Sequence, residues 1–513
     1  MAQVNKQDIQ PTVGPSEEGQ VRLKDRHTAE LVFGLCGLMG SGVSKTGQIL
    51  QELLRKTYHY GDVQIIQVSK LIASCASLVG ETYHEGLSEA DRVETLQRIG
   101  TSLRGKYSPE YLAKKCIEKI ATDRVTSGGY HAQHSDLPLA RRSAFIIDSL
   151  KHPDEIRLLR TVYGDAFWLI TVFAPEDIRE KRLQALGVEA SRIPTLIKRD
   201  RDDDPNWGQH VDETVQLADF FVRNDHQSIN PLKTTLERYL SILFNTRVHT
   251  QTPEESAMSA ATAAAARSAC LSRQVGAAIL SEKDELLGVG WNDVPAFGGG
   301  LYHSDEDDDH RCFRYGEKIC HNDARKASLY DKISDMLVKK NMVAAGVTKE
   351  QLKELLSKTE IKRLIEYSRA VHAEMEAIIS VARSQKGSLL RAKMFVTTFP
   401  CHSCARHIVA AGISEVIFIE PYSKSLATEL HDDSVSSENP RSTGRVIFRQ
   451  YEGVAPRNAV RLFNHGKDRK KAGKAIEIDA NAAEPVFLTA LDGYAKMEQI
   501  VVQELHNEEG SGV

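Results

Sequence analysis

No run in this chain of 513 residues approaches the roughly 18 consecutive apolar residues of a membrane span. The first thirty residues are polar and hold no signal-peptide core, so a cytoplasmic protein is expected. A disulfide framework is also missing: the eight cysteines are scattered, which suits a reducing compartment. A basic stripe is absent as well. Lys and Arg number 66 against 70 Asp and Glu, the net charge is −4, and an acidic run, Asp305-Glu306-Asp307-Asp308-Asp309, interrupts the second half. That balance argues against a long nucleic-acid track. No internal repeat is present.

What remains, 41% apolar and 27% charged, is the composition of a globular protein too long for one core. Residues 1–28 read as a disordered arm. From Glu30 short apolar runs alternate with helical stretches, with strands expected at 31–36, 63–68, 144–147, 167–173 and 220–222 and a closing helix at 231–244. This alternation predicts a parallel sheet covered on both faces over 29–245. A linker at 246–255 leads to a second α/β unit over 256–491. There an alanine-rich helix at 256–270, strands at 275–280 and 286–290, a helix at 373–383 and strands at 394–398 and 415–419 are expected. Residues 297–370 read as an insertion, and 492–513 as a C-terminal helix and tail.

The chemistry is concentrated in His372-Ala373-Glu374 and Pro400-Cys401-His402-Ser403-Cys404. A catalytic zinc takes three protein ligands and leaves a fourth position for water. One imidazole, His372, and two thiolates, Cys401 and Cys404, supply three. Glu374, two residues from His372, can stand beside the metal without ligating it and move protons. A structural site would need a fourth protein ligand and would give that acid no purpose. H-x-E followed by P-C-x-x-C is the signature of zinc-dependent nucleobase deaminases. If Pro400 opens a helix, its first-turn N–H groups favour the thiolates.

Gly37-Leu38-Met39-Gly40-Ser41-Gly42-Val43-Ser44-Lys45-Thr46 lies between a strand and a helix, where a phosphate-cradling loop belongs. Its spacing is irregular, because Ser44 stands where glycine normally precedes the lysine. Gly37, Gly40, Ser41, Gly42 and Ser44 are the candidate cradle. Lys45 is the candidate phosphate lysine, Thr46 the candidate magnesium ligand, and Asp148, ending an apolar strand, the candidate second acid. The run from Ile146 to Glu155 resembles small nucleotide kinases. Arg179, Arg182 and Lys198-Arg199-Asp200-Arg201 fall where those kinases carry a lid.

The element order of the second half resembles the cytidine deaminase fold. Ser272-Arg273-Gln274-Val275-Gly276-Ala277 and Gly288-Val289-Gly290-Trp291-Asn292 resemble the deoxycytidylate deaminase family. That resemblance implies Asn292 at the sugar hydroxyl and Arg273 at phosphate. Tyr422 and Lys424, after a strand near the site, are candidates for the base and for phosphate. Cys312, Cys320 and His321 form a second candidate metal cluster, with unliganded loop residues as the alternative.

The expected fold class is therefore α/β, with an N-terminal P-loop nucleotide-kinase-like parallel-sheet domain and a C-terminal cytidine deaminase-like α/β/α domain. That domain order resembles the bacterial antiphage deoxycytidine nucleotide deaminases. The resemblance implies zinc, deamination of free dCTP or dCMP that depletes dCTP, and control through the P-loop domain, with Mg²⁺ and a nucleoside triphosphate as its ligands. It also implies an inhibitory small RNA or protein and a homo-oligomer. A polynucleotide cytidine deaminase and a bifunctional nucleotide kinase/deaminase stay open.

Overall fold

The computed structural model describes residues 26–130, 138–203, 206–226, 228–304, 308–422, 425–437, 444–464 and 469–511. Most of the expected arm, the acidic residues Asp305, Glu306 and Asp307, and Lys424 lie outside the described residues.

Five strands, β1 (Leu31–Cys36), β2 (Asp62–Gln67), β3 (Ser143–Leu150), β4 (Phe167–Phe173) and β5 (Phe220–Arg223), form a parallel sheet in the order β5-β4-β1-β3-β2. Such strands are buried on both faces and therefore read as nearly continuous apolar runs. Leu31, Phe33 and Leu35 pack with Ile49, Leu50, Leu53 and Leu54 of α1 (Val43–Lys56). Val32 and Cys36 share a second cluster with Leu112, Cys116 and Ile120 of α2 (Tyr111–Thr126). Because β1 lies between β3 and β4, the crevice at its carboxyl end is the switch point where open α/β sheets bind ligands.

The next unit begins with α3 (Pro253–Ala265), started by a capping box of Thr252 and Glu255 with proline at the first turn. An antiparallel hairpin of β6 (Gly276–Leu280) and β7 (Leu286–Trp291) follows. Then come α4 (Ala373–Ser384), β8 (Lys393–Thr398), α5 (His402–Ala410), β9 (Glu415–Glu420), β10 (Val435–Ser437) and β11 (Val446–Gln450). The sheet order is β10-β11-β9-β8-β6-β7, parallel from β10 to β8. At Gly290 a Cβ would stand 2.3 Å from both the Ala373 carbonyl oxygen and the Ala377 nitrogen, so α4 lies directly on β7. Between hairpin and α4 the insertion carries two helices, His321–Lys339 and Lys349–Ser357.

The chain then returns to the first unit. A strand β12 (Gly453–Val454) pairs antiparallel with β5, and α6 (Leu491–Gly510) packs on α2. Thr489–Ala490 pairs with His27–Thr28, and Arg26 Nε donates to Asp492 at 2.8 Å, so the end of the expected arm is held. One apolar cluster runs through the seam, joining Phe221 and Ala218 to Met258, Phe395, Ile417 and Tyr451. Among the described residues no helix is long and apolar enough to cross a membrane.

Arg124 closes the return. Fully buried, it donates to both oxygens of Glu30 at 2.9 and 2.6 Å and to both of Glu498 at 3.0 and 2.9 Å. Tyr494 and Ser143 each add a bond to Glu30 at 3.0 Å. Removing one partner of a buried ion cluster leaves charge unanswered in a poor solvent. Arg124→Ala is therefore expected to cost about 3–5 kcal/mol. A lower urea midpoint, with early proteolysis near α6, is the expected result.

Candidate active site

His372 is the N-cap of α4 and Cys401 the N-cap of α5, both in extended backbone, while Glu374 and Cys404 lie in the first turns. Pro400 thus precedes the cap rather than opening the helix. Two helix starts point at one place, and their unpaired N–H groups favour anionic sulfur there. His372 Nδ1 lies 3.2 Å from Cys404 Sγ and 3.5 Å from Cys401 Sγ. All three donor atoms fall within 4.8 Å of one another. A tetrahedral zinc with ordinary Zn–S and Zn–N lengths separates such donors by about 3.6 Å, so the trio fits zinc.

Charge in the trio is arranged accordingly. The Cys401 thiol is lowered to about 4, chiefly by a hydrogen bond from Cys404 and also by His372. Cys404 is pushed well up by holding that proton and by burial. Hydrogen bonding to Cys401 raises His372. Glu374, 4% exposed, is raised by burial first and is thus disposed to take a proton.

His372, Glu374 and Cys401 line a cavity of about 430 Å³, with Cys404 buried behind them. Asn292, Arg273 and Tyr422 line it too. Asn292, however, is already engaged: Oδ1 accepts from the Val275 N–H at 2.7 Å and Nδ2 donates to the Arg273 carbonyl at 2.8 Å. It splices the start of β6 to the end of β7, and the second N–H of Nδ2 and the second acceptor site of Oδ1 are left over on a residue that lines the cavity. The Arg273 guanidinium is half exposed, ion-paired with Glu420 and 6.0 Å from the Tyr422 ring centre. Sequence reasoning did not single out the insertion's contribution, in which Asn322, Leu364, Ile365 and Glu366 form one wall.

Cys312, Cys320 and His321 line a small neighbouring cavity of about 20 Å³, together with Cys270. Their donor atoms do not gather as the trio's do; among the described residues only His372, Cys401 and Cys404 form such a group. Cys320 instead meets the Ser272 hydroxyl at 3.5 Å. The scatter of the cysteines hid Cys270, which lies 42 residues before Cys312.

At the carboxyl end of β1 a separate cavity of about 480 Å³ is lined by Gly37, Gly40, Gly42, Ser44, Lys45 and Asp148. The helix register revises the reading of this loop. Because α1 starts at Val43, the residue directly after the glycine turn is Val43, and Ser44 follows. Gly37 and Gly42 keep the G-x-x-x-x-G spacing, with valine where the lysine belongs. Lys45 is exposed at the rim. Thr46 is fully buried, outside the cavity lining, its hydroxyl donating to the Gly42 carbonyl at 3.1 Å, so it cannot meet magnesium there. Ser41 turns away as well, into the seam between the units. Gly42, at φ 91°, admits no side chain because a Cβ would meet Asn224 Nδ2 at 2.2 Å. Inside, Asp200 accepts from the Met39 N–H at 2.7 Å and pairs with Lys151 at 2.9 Å, and Lys151 also donates to the Gly37 carbonyl at 2.8 Å. Asp148 is raised by burial and restrained by Ser44 and Lys151.

Residues 251–420 match the family profile described as the cytidine and deoxycytidylate deaminase zinc-binding region. This part of the chain is a deaminase domain. The chain is 28% identical over 163 residues to the deoxycytidylate deaminase of Enterobacteria phage T4, covering 31% of this chain and 72% of that one. It is 24% identical over 237 residues to a UPF0200/UPF0201 protein of Archaeoglobus fulgidus, covering 45% of this chain and 63% of that protein, less than two thirds of its length. A dCMP deaminase of the cyanophage S-TIM5, solved with dCMP and dUMP, is 18% identical with a TM-score of 0.23, covering 39% of this chain and 99% of that one.

Cys401→Ala in the deaminase domain is expected to abolish stoichiometric zinc, whereas Cys312→Ala retains it. Elemental analysis of the purified proteins decides this.

Proposed function

We propose that the deaminase domain hydrolyses the exocyclic amine of free deoxycytidine nucleotides, dCMP ahead of dCTP, giving the uracil nucleotide and ammonia. The observation that carries this reading is the cavity of about 430 Å³ in which a zinc-fitting trio and a buried, proton-accepting carboxylate face one wall of the insertion. That volume is of the order that encloses one small ligand. Among the described residues its lining carries one arginine, Arg273, and no lysine. The pairing of Arg273 with Glu420 leaves little free positive charge among the described residues of the lining, which favours a monophosphate over a triphosphate.

Zinc held by His372, Cys401 and Cys404 would acidify a water and polarise the reacting carbon. Glu374 takes the proton from that attacking water and delivers it to the ring nitrogen next to the amino-bearing carbon. It then takes the proton of the newly added hydroxyl and gives it to the departing amino group, so that the carbonyl forms as the C–N bond breaks, one water is consumed and one ammonia is released. Burial raises its pKa, which favours its taking up a proton. Tyr422 bounds the pocket beside Arg273, which reaches phosphate by leaving Glu420.

The first unit is a nucleotide-sensing P-loop domain rather than a kinase. Val43 replaces the phosphate lysine, and the Asp200 carboxylate sits on a loop N–H where a phosphate oxygen would go. Depletion of dCTP against phage, restrained by a small RNA or protein partner in a cytoplasmic homo-oligomer, is the biological setting that the domain order suggests.

Ammonia release should be measured with dCMP, dCTP, CMP, CTP and single-stranded DNA, with and without added nucleoside triphosphate. dCMP turnover is expected to lead, and Glu374→Gln to lower it about 10²–10⁴-fold while zinc stays bound. Activity confined to the polymer would overturn the proposal.

A further inference from the structure

A phosphate that enters the zinc cavity beside the base has one guanidinium to meet, that of Arg273. This guanidinium is not free. It is ion-paired with Glu420, the last residue of β9, and its main chain is tied down by Asn292 Nδ2, which donates to the Arg273 carbonyl at 2.8 Å.

Of the two partners the carboxylate is held more firmly. Thr398, the register partner of Glu420 on β8, is buried on the cavity lining and donates its hydroxyl to Glu420 Oε2 at 2.9 Å. The Glu420 carbonyl accepts from the Phe399 N–H at 2.8 Å, so strand pairing fixes the backbone beneath it. The Glu420 side chain is 17% exposed, against 46% for Arg273. An ion pair this open to water is weak enough to be exchanged. When a phosphate arrives, the arginine turns to it and the carboxylate stays behind, one fixed negative charge beside the place of the phosphate.

We infer that Glu420, positioned by Thr398, is the residue that determines how many phosphates the cavity accepts. The inference rests on the proposed deamination of free deoxycytidine nucleotides and adds to it the determinant of phosphate number. Repulsion by a fixed carboxylate grows with the charge of the ligand. A monophosphate takes Arg273 from Glu420 and bears that repulsion once; a triphosphate carries more charge past the same carboxylate and finds no second arginine or lysine among the described residues of the lining. Glu360 and Glu366 line the cavity from the insertion, with Glu366 Oε2 accepting from the Ile365 N–H at 2.9 Å. Glu420 differs from them in holding the arginine itself.

Calorimetry on the zinc-loaded full-length protein with deoxyuridine, dUMP and dUTP tests this, since ligands that already carry uracil are bound without turnover. The wild-type protein is expected to bind dUMP more tightly than dUTP. Glu420→Gln keeps an acceptor for the Thr398 hydroxyl and removes the charge. It should tighten dUMP about 3- to 10-fold and dUTP about 10- to 100-fold. Deoxyuridine, which has no phosphate, should bind the variant and the wild type alike, whereas a merely structural role of Glu420 would move all three ligands together. Glu366→Gln removes a charge that holds no arginine and should tighten dUTP less than about threefold. Glu420→Ser gives the same comparison if the glutamine variant does not fold. An unchanged ratio of dUMP to dUTP affinity, an equal shift for deoxyuridine, or an equal gain from Glu366→Gln would overturn the inference. Absence of dCMP turnover by the wild-type protein would instead count against the proposed activity, and the binding comparison would still decide the role of Glu420.

Discussion

Everything at the junction of the two sheets depends on where the last sixty residues are held, and Arg124 holds them. Its guanidinium spends its donors on Glu30, which leads into β1, and on Glu498 of α6. A buried cation with two buried carboxylates is not cheap to assemble, but once assembled it tolerates no slippage, because any shift leaves a charge unanswered. The segment entering β1 and the helix α6 are thereby fixed to α2. The segment between β11 and α6 is then obliged to run across the first sheet, which is why β12 can add to β5 and why Tyr451, with its ring 5.6 Å from that of Phe221, is buried. The two α/β units share a core rather than a tether.

With the units so joined, their ligand-binding edges cannot be independent. Parallel sheets offer side chains and loop N–H groups at their carboxyl ends. Here both edges open toward the same seam. The glycine loop is held from behind by Arg182 and Asn224, which bind the carbonyls of Gly40 and Ser41, and its neighbour Arg179 reaches the seam. Across the seam, the segment after β8 that carries Phe399 continues directly into Cys401. A change in either edge meets the other within a few side chains.

Much of this was legible in the residues. The buried parallel strands announce themselves as apolar runs, since burial on both faces removes the alternation that would blur them. The convergence of His372, Cys401 and Cys404 was legible because donor type and spacing restrict the geometry severely. What the sequence concealed was how side chains are spent. Nothing local tells that the Asn292 amide is oriented by Val275 and Arg273, because its partners are set by the register of the hairpin. Thr46 looked available until the helix start at Val43 rotated it inward; two residues of register reverse which way a hydroxyl points. The return of 453–510 was hidden for a different reason. A two-residue strand such as Gly453–Val454 has no periodicity to read, and the attraction that places it lies more than two hundred residues away.

Gly290 shows how such distant settings reach the chemistry. Having no side chain, it lets α4 rest on β7, and the first turn of α4 is where His372 and Glu374 stand. The depth of the imidazole relative to the two sulfurs is thus fixed by an absence, at a residue that touches no metal. A chain could keep all three ligands and the glutamate yet hold no zinc, if position 290 gained a single methyl group and lifted the helix. Possession of the motif and possession of the site are separable properties in this fold, and the second is written in a strand that contains none of the motif.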